Sequence, residues 1–265
     1  MKYSENYIIG MEDTGRNNFA TNKSLITIME EIAGLHSASV GFGVLDIDRI
    51  GMGWVLLDWK MKVIKRPKYS DVVKAVTWSR GTDRLRAFRD FRLEDQKGNV
   101  YAVGTSTWVL IDINKRRPLK IEYNVISAYK CEDENVFPEK LKNIKLPDVF
   151  KNCSAGGLCR ENEDALSEAE EKIKLKCAKF KVTRRDIDIN NHMHNISYID
   201  AANEILPDNV YDNEEYNCLR VTYKKEARYG QEIECVYAQE NDCHYVCMQS
   251  ESGIHAIMEL GKDIY

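Results

Sequence analysis

The order of hydrophobic periods along the chain is what most restricts its fold. Over about residues 22–40, Leu25, Ile28, Met29, Ile32, Ala33 and His36 fall at i, i+3, i+4, i+7, i+8 and i+11, a single helical stripe. Gly41 and Gly43 follow as stop signals. The period then changes from 3.6 to 2. In "GWVLLDWKMKVIK" the residues Val55, Leu57, Trp59, Met61 and Val63 share one apolar face, and Asp58, Lys60 and Lys62 point away from it. "DVVKAVTWS", "LRAFRDFRLED" and "VYAVGTSTWVLID" continue as strands, with breaks expected at Arg80–Asp83 and at Lys97–Asn99, where Gly98 suits a hairpin tip. A short strand around 3–9 precedes the helix.

The same order returns in the second half. "CAKFKVTRRDIDI" reads as a strand, about 195–206 as a helix, and "YNCLRVTYKKEA", "EIECVYAQ", "CHYVCMQS" and "IHAIMELG" as four more strands. The segment between the halves is rich in Lys, Glu and Asn, and its "SEAEEKIKLK" reads as a solvated helix. The expected organisation is a repeat over 1–113, a connector over 114–175 and a second repeat over 176–265. An apolar helix needs cover, and a twisted antiparallel sheet can curl around it. Two such units side by side give a tandem, or double, hot-dog: an α+β fold in which a shared antiparallel sheet wraps two long helices. The same order also fits other α+β folds.

Composition narrows the classes. With 43% hydrophobic and 30% charged residues, disorder is excluded. A net charge of −4 over 265 residues supplies no global field for nucleic acid or an anionic membrane. No run approaches the roughly 20 apolar residues of a membrane span, and "MKYSENYIIGMED" lacks a signal core or transit composition, so no membrane insertion and a cytoplasmic address are expected. The eight cysteines form no CxxC pair and no zinc-site spacing; reduced thiols are expected, with neither metal nor cofactor implied.

The chemistry gathers in "RRDIDINNHMHNISYIDAANEIL", residues 184–206. On an extended backbone Asp188, Asn190 and His192 share a face, with Ile187 and Ile189 turned to the core. A helix follows at once, with Asn195 the expected N-cap, and its start carries unpaired amides and partial positive charge. A carbonyl oxygen placed there could be stabilised as an oxyanion. Carboxylate, carboxamide, imidazole and amides together suit acyl hydrolysis. The same residues are also common as caps and turn formers. His194, two residues beyond His192, lacks a third partner for a metal site.

This stretch resembles the signature D-x-N-x-H-x-x-N-x-x-Y of the acyl–acyl carrier protein thioesterases of bacteria and plant plastids, with Asp188, Asn190, His192, Asn195 and Tyr198 in place. "VTYKKEARYG" is similar to the family's second motif and puts Glu226 at its acidic position. "GWVLLDWKMKVIKRPKYSDVVKAVTWSRG", "RAFRDFRLED" and "STWVLIDINKRRP" extend the likeness over nearly the whole chain. The resemblance implies a tandem hot-dog and hydrolysis of fatty acyl–acyl carrier protein to free fatty acid. It also implies a catalytic group at Asp188, Asn190, His192 and Glu226. Several plant members have a cysteine directly after that glutamate; here Ala227 takes the place, so a cysteine nucleophile is unavailable there. Whether Glu226 or Asp188 is the base, or Asp188 a nucleophile, stays open at this point.

The matching turn of the first half, "MEDTGRNNFATNKS", has nothing like the D-x-N-x-H run. Its half is expected to line the acyl site, with Ile28, Met29, Ile32, Trp59, Met61 and, from the second half, Asn195 as substrate-binding candidates; ordinary core packing accounts for each equally well. Acyl carrier proteins are acidic, so Lys181, Arg184, Arg185, Lys224, Lys225 and Arg228, which flank both motifs, are docking candidates. Rival functions are an acyl-CoA thioesterase, a non-catalytic acyl-binding hot-dog protein and a hot-dog dehydratase. Monomer and homodimer are equally admissible.

Overall fold

The structure is a computed structural model that describes residues 1–139, 141–148, 150 and 176–262. Two compact units divide it, Met1–Leu141 and Lys142–Tyr265. In the first, β1 (Tyr3–Ile8) leads to α1 (Asn22–Ser39), α2 (Ile47–Ile50), β2 (Met52–Val63), β3 (Val72–Asp83), β4 (Arg86–Glu94), β5 (Val100–Asp112), β6 (Arg117–Pro118) and α3 (Tyr123–Tyr129). Its antiparallel strands lie in the order β1-β3-β4-β5-β2, with β6 on β5. In the second, β7 (Lys176–Lys181), α4 (Asn195–Asn203), α5 (Asp208–Tyr211), β8 (Cys218–Tyr223), β9 (Glu232–Glu240), β10 (Cys243–Ser250) and β11 (Gly253–Gly261) give the order β8-β11-β10-β9-β7. All the pairings are antiparallel.

The stripe read from sequence makes α1. Thr21 caps it, its Oγ1 accepting the Ser24 amide at 3.1 Å, and Leu25, Ile28, Met29, Ile32, Ala33 and His36 are all buried. Each large apolar member contributes about 1.5–3 kcal/mol by leaving water. The helix ends at Gly41, which adopts φ 81°, the left-handed conformation that costs glycine nothing. α1 lies against the sheet closely enough that a Cβ on Gly104 of β5 would stand 2.6 Å from Met29 Sδ.

The second helix is shorter than expected. α4 has nine residues against eighteen in α1, so the expectation of two long helices is corrected. Leu206 precedes Pro207, which disfavours helical geometry there, and the chain tightens to i→i+3 bonds (Ile205 N to Ala202 O, Leu206 N to Asn203 O). The strand expected over 177–189 stops at Lys181; the chain turns through a 3-10 corner at Arg184–Asp186 closed by Asp186, whose Oδ2 accepts from the Thr183 amide at 2.7 Å and hydroxyl at 2.6 Å. Two bulges also shift the reading. One between Leu56 and Asp58 turns Leu56 rather than Val55 and Leu57 to the interior, because one added residue flips every side chain beyond it. The other, between Ser79 and Gly81, carries β3 straight through the expected break.

Much of the expected connector is part of the two units. Ile121, Val125 and Tyr129 pack with Leu110 on the first, Trp78 Nε1 donates to Glu134 O at 2.9 Å, and the Lys60 ammonium sits 4.1 Å over the Phe137 ring. Ile144, Leu146 and Phe150 cover Val236, Ala238, Tyr245, Cys247 and Ile257 of the second. The "SEAEEKIKLK" helix, except Lys176, and Cys153 and Cys159 lie outside the described residues. The six described cysteines are free. Among the described residues no helix is long and apolar enough to cross a membrane.

Candidate functional site

After the 3-10 corner the chain crosses over itself. Ile187 bridges Met193, and between them Asp188 N donates to His192 O at 2.9 Å and Asn191 N to Asp188 O at 3.1 Å. Asn191 sits at φ 61°, a conformation asparagine tolerates because its short amide can bond locally. The stretch is thus a closed loop, not an extended strand. Ile189 is 73% exposed instead of buried.

The loop is shaped by Asp188. Its Oδ1 accepts from the amides of Asn190 (2.8 Å) and His192 (3.2 Å), and its Oδ2 from Asn190 Nδ2 at 3.2 Å. These bonds satisfy amides that the turn would leave unpaired. Asn190 is thereby bound back to the loop. Beyond it, Met193 N donates to Ala227 O at 2.8 Å and His194 N to Asp186 O at 2.7 Å, which pins the loop to the chain carrying Glu226. His194, not Asn195, is the N-cap of α4, and it makes no side-chain cap bond; Asn195 opens the helix and its carbonyl accepts from Tyr223 Oη at 3.0 Å.

The decisive contact joins the two motifs. His192 Nε2 lies 2.9 Å from Glu226 Oε2, the imidazole 16% and the carboxylate 51% exposed. Thirty-four positions of sequence separate residues that meet here at hydrogen-bond distance. Behind Glu226 the backbone is held from the helix side: Ala227 N donates to Tyr198 Oη at 2.9 Å, and that hydroxyl donates to Lys225 O at 3.5 Å. Burial first, then the neighbouring Glu226 and Asp188 carboxylates, push the Tyr198 hydroxyl up to about 12, against the opposing Ala227 amide. Ala227 is fully buried, so a side chain at this position faces the interior.

The first unit builds the same loop without the reactive groups. A 3-10 corner at Met11–Asp13 is closed by Asp13 Oδ2 on Gly10 N. Thr14 bridges Ala20, Gly15 N donates to Phe19 O at 2.9 Å, Asn18 N to Gly15 O at 3.1 Å, and Ala20 N to Pro67 O at 2.9 Å. Asn18 takes φ 63°. The positions of Asp188, Asn190, His192 and Glu226 are held there by Gly15, Asn17, Phe19 and Arg66. The corner is therefore a property of the fold, and the acid–imidazole pair is an addition in the second unit alone.

The remaining candidates fall as follows. Lys181, Arg184, Arg185, Lys224, Lys225 and Arg228 are all exposed; Arg184 stacks over Tyr229 at 5.5 Å, Arg185 Nε lies 3.6 Å from Asp186, and Lys225 Nζ donates to Ser252 O at 2.7 Å. Ile28, Met29, Ile32, Trp59 and Met61 are each buried in the first unit, 0–6% exposed, with Trp59 against Phe91 at 4.8 Å. Sequence reasoning missed Tyr223 and His255, which touch the site's backbone from β8 and β11; no local pattern marks either. No cluster of metal-binding type occurs among the described residues.

Two units with this corner, one of them carrying an acid–imidazole pair at a helix start, make the chain a hot-dog protein of the α+β class. It matches the acyl-ACP thioesterase N-terminal domain over residues 1–129 and the acyl-ACP thioesterase C-terminal domain over residues 169–260. The chain belongs to the acyl-ACP thioesterase family. It is 25% identical over 249 residues to the chloroplastic oleoyl-acyl carrier protein thioesterase 2 of Arabidopsis thaliana, covering 90% of this chain and 63% of that relative. The chain thus spans less than two thirds of the length of the first curated relatives it matches. An acyl-ACP thioesterase from Bacteroides thetaiotaomicron superposes with a TM-score of 0.80 at 20% identity, covering 98% of this chain and 97% of that one. The 12:0-ACP thioesterase from Umbellularia californica gives 0.79 at 17%, covering 98% and 96%. At these identities the structural likeness is one of fold.

Proposed function

We propose that the protein hydrolyses the thioester of a fatty acyl group on acyl carrier protein, releasing the free fatty acid and the carrier thiol. The observation that carries this is the 2.9 Å contact between His192 Nε2 and Glu226 Oε2 at the start of α4. Glu226 is half-exposed and reaches solvent, whereas the Asp188 carboxylate is occupied by three donors of its own loop. We therefore assign the general base to Glu226, oriented by His192, and loop shaping to Asp188 and Asn190. A water held by Glu226 attacks the carbonyl carbon while its proton passes to the carboxylate. The carbonyl oxygen gains charge near the amides that open α4 beyond His194. The C–S bond then breaks and the thiolate takes the proton back. A positioned base of this kind contributes about 10²–10⁴ in rate.

The carrier is acidic by the resemblance, and the six exposed cations flank both motifs of the second unit. We assign docking of the carrier to Lys181, Arg184, Arg185, Lys224, Lys225 and Arg228, and the thioester end of the substrate to Asn195. The test presents matched acyl chains on carrier protein and on CoA to the wild type and to Glu226→Gln, following free thiol at low and high salt. Expected are faster release from the carrier, a fall of about 100-fold or more in Glu226→Gln, and a loss with rising salt confined to the carrier substrate. Equal rates in Glu226→Gln would remove the mechanism, and a salt-insensitive preference for CoA would remove the docking assignment.

A further inference from the structure

We propose that His255, on β11, is a positioning residue that sets the Glu226 carboxylate through the backbone before it; this deepens the thioesterase reading and rests on it. His255 is fully buried. Its main-chain carbonyl accepts from Lys224 N at 2.8 Å and Lys225 N at 3.2 Å. Its ring holds the same segment again, with Nδ1 3.1 Å from Lys225 O. A carbonyl oxygen only accepts, so Nδ1 carries the proton. Nε2 is then the acceptor, 2.8 Å from Ser250 Oγ and 3.2 Å from Gln231 Nε2, and Gln231 Nε2 also reaches Ser250 Oγ at 3.0 Å. The imidazole is thus fixed on both sides and grips the peptide adjoining Glu226. Tyr198 reaches that same Lys225 carbonyl from α4.

The first unit separates a structural role from a functional one. Tyr101 occupies the place of His255: its carbonyl accepts from Ile64 N at 2.8 Å and Lys65 N at 3.0 Å, so the backbone pairing is common to both units. The Tyr101 side chain, however, turns to Asp71 at 3.4 Å. The place of Tyr198 is likewise held by Leu25. Ring contacts to the segment accompany Glu226 and His192 in the second unit, and where Arg66 and Phe19 stand instead, they are replaced. The fold needs the backbone pairing; the additional side-chain grip goes with the reactive pair.

Two polar substitutions separate the ring's two ends. In His255→Asn the amide nitrogen can take the place of Nδ1 and keep its bond to Lys225 O; in His255→Gln the amide reaches only the Nε2 end. The expected result is kcat within about threefold of wild type for His255→Asn and a drop of about 10- to 100-fold for His255→Gln, with KM unchanged, since a displacement near 1 Å at a reacting group costs about that much. In a Glu226→Gln background, His255→Gln should remove less than about twofold more, because coupled residues do not act additively. The ¹⁵N shift of His192 Nε2 should move in His255→Gln as it does in Glu226→Gln, a readout that needs no turnover. Equal activity of the two His255 variants, full additivity with Glu226→Gln, or an unmoved His192 resonance would each overturn the role. A wild type with no thioesterase activity would overturn the functional reading instead, and the His192 resonance would still decide on His255.

Discussion

Asp188 and Glu226 are both carboxylates of the signature, yet their surroundings give them different work. Asp188 spends its lone pairs on the loop's own donors, while Glu226 keeps one oxygen on His192 and remains half-exposed. Asp188→Asn retains an acceptor for the Asn190 and His192 amides but meets Asn190 Nδ2 with a second donor. Asp188→Ala loses every one of these bonds, at a cost of about 1–2 kcal/mol by analogy with lost caps. For a loop-shaping residue, kcat should fall in the order wild type, Asn, Ala, with the melting temperature following the same order. If Asp188 attacked the carbonyl itself, Asn and Ala would be equally inactive, and equal values in that assay would reverse the assignment. The motif's residue types were legible in sequence because turn-forming and proton-moving side chains were crowded into a few positions. Their division of labour was not, since it depends on which donor each oxygen meets.

Among elements, α1 was readable to within a residue because its stripe and its glycine stop agree. α4 was readable in place but not in length, because Pro207 and the i→i+3 turn before it act against an apolar pattern that runs on to Leu206. The strands were legible as elements, but the bulges at Leu56–Asp58 and Ser79–Gly81 were not; each reflects how neighbouring strands pair. The close approach of α1 and β5 gives a direct test. Gly104→Ala places a methyl 2.6 Å from Met29 Sδ and 3.2 Å from its Cε, so the thioether end must shift within a filled interior. We expect a loss of about 1–3 kcal/mol in urea unfolding, mostly recovered in Gly104→Ala combined with Met29→Val. No recovery in the double variant would place the strain elsewhere.

At the scale of the molecule, three buried histidines couple stability to acidity. Burial is the first cause lowering His36, to about 3, with the Arg89 guanidinium and the N-terminal ammonium adding to it; burial likewise lowers His244 and His255. Each folded value lies below the unfolded one near 6.5, so the unfolded chain binds more protons in between. The histidines' contribution to stability is therefore full above about pH 6.5 and falls as the pH drops below it; for His36, whose shift is large, the fall continues down to about 3 with a slope of about 1.4 kcal/mol per pH unit between the two values. His36→Asn can keep an acceptor for Arg89, which donates to His36 Nδ1 at 2.8 Å, and removes the titration. Its unfolding free energy should depend less steeply on pH between 6.5 and 4 than that of the wild type, and an unchanged slope in denaturant titrations would exclude His36 as a source. By itself the sequence determined the doubled order of elements, the helical stripe of α1 and the crowding of reactive residue types near 184–198, because these follow from spacing and from local bonding rules. Only the tertiary structure decided that Glu226 meets His192, that Asp188 serves its own loop, and that His255 and Tyr198 stand behind them. Those contacts join β8, β11 and α4 across long stretches of chain, and no local pattern encodes a distance between residues that only packing brings together.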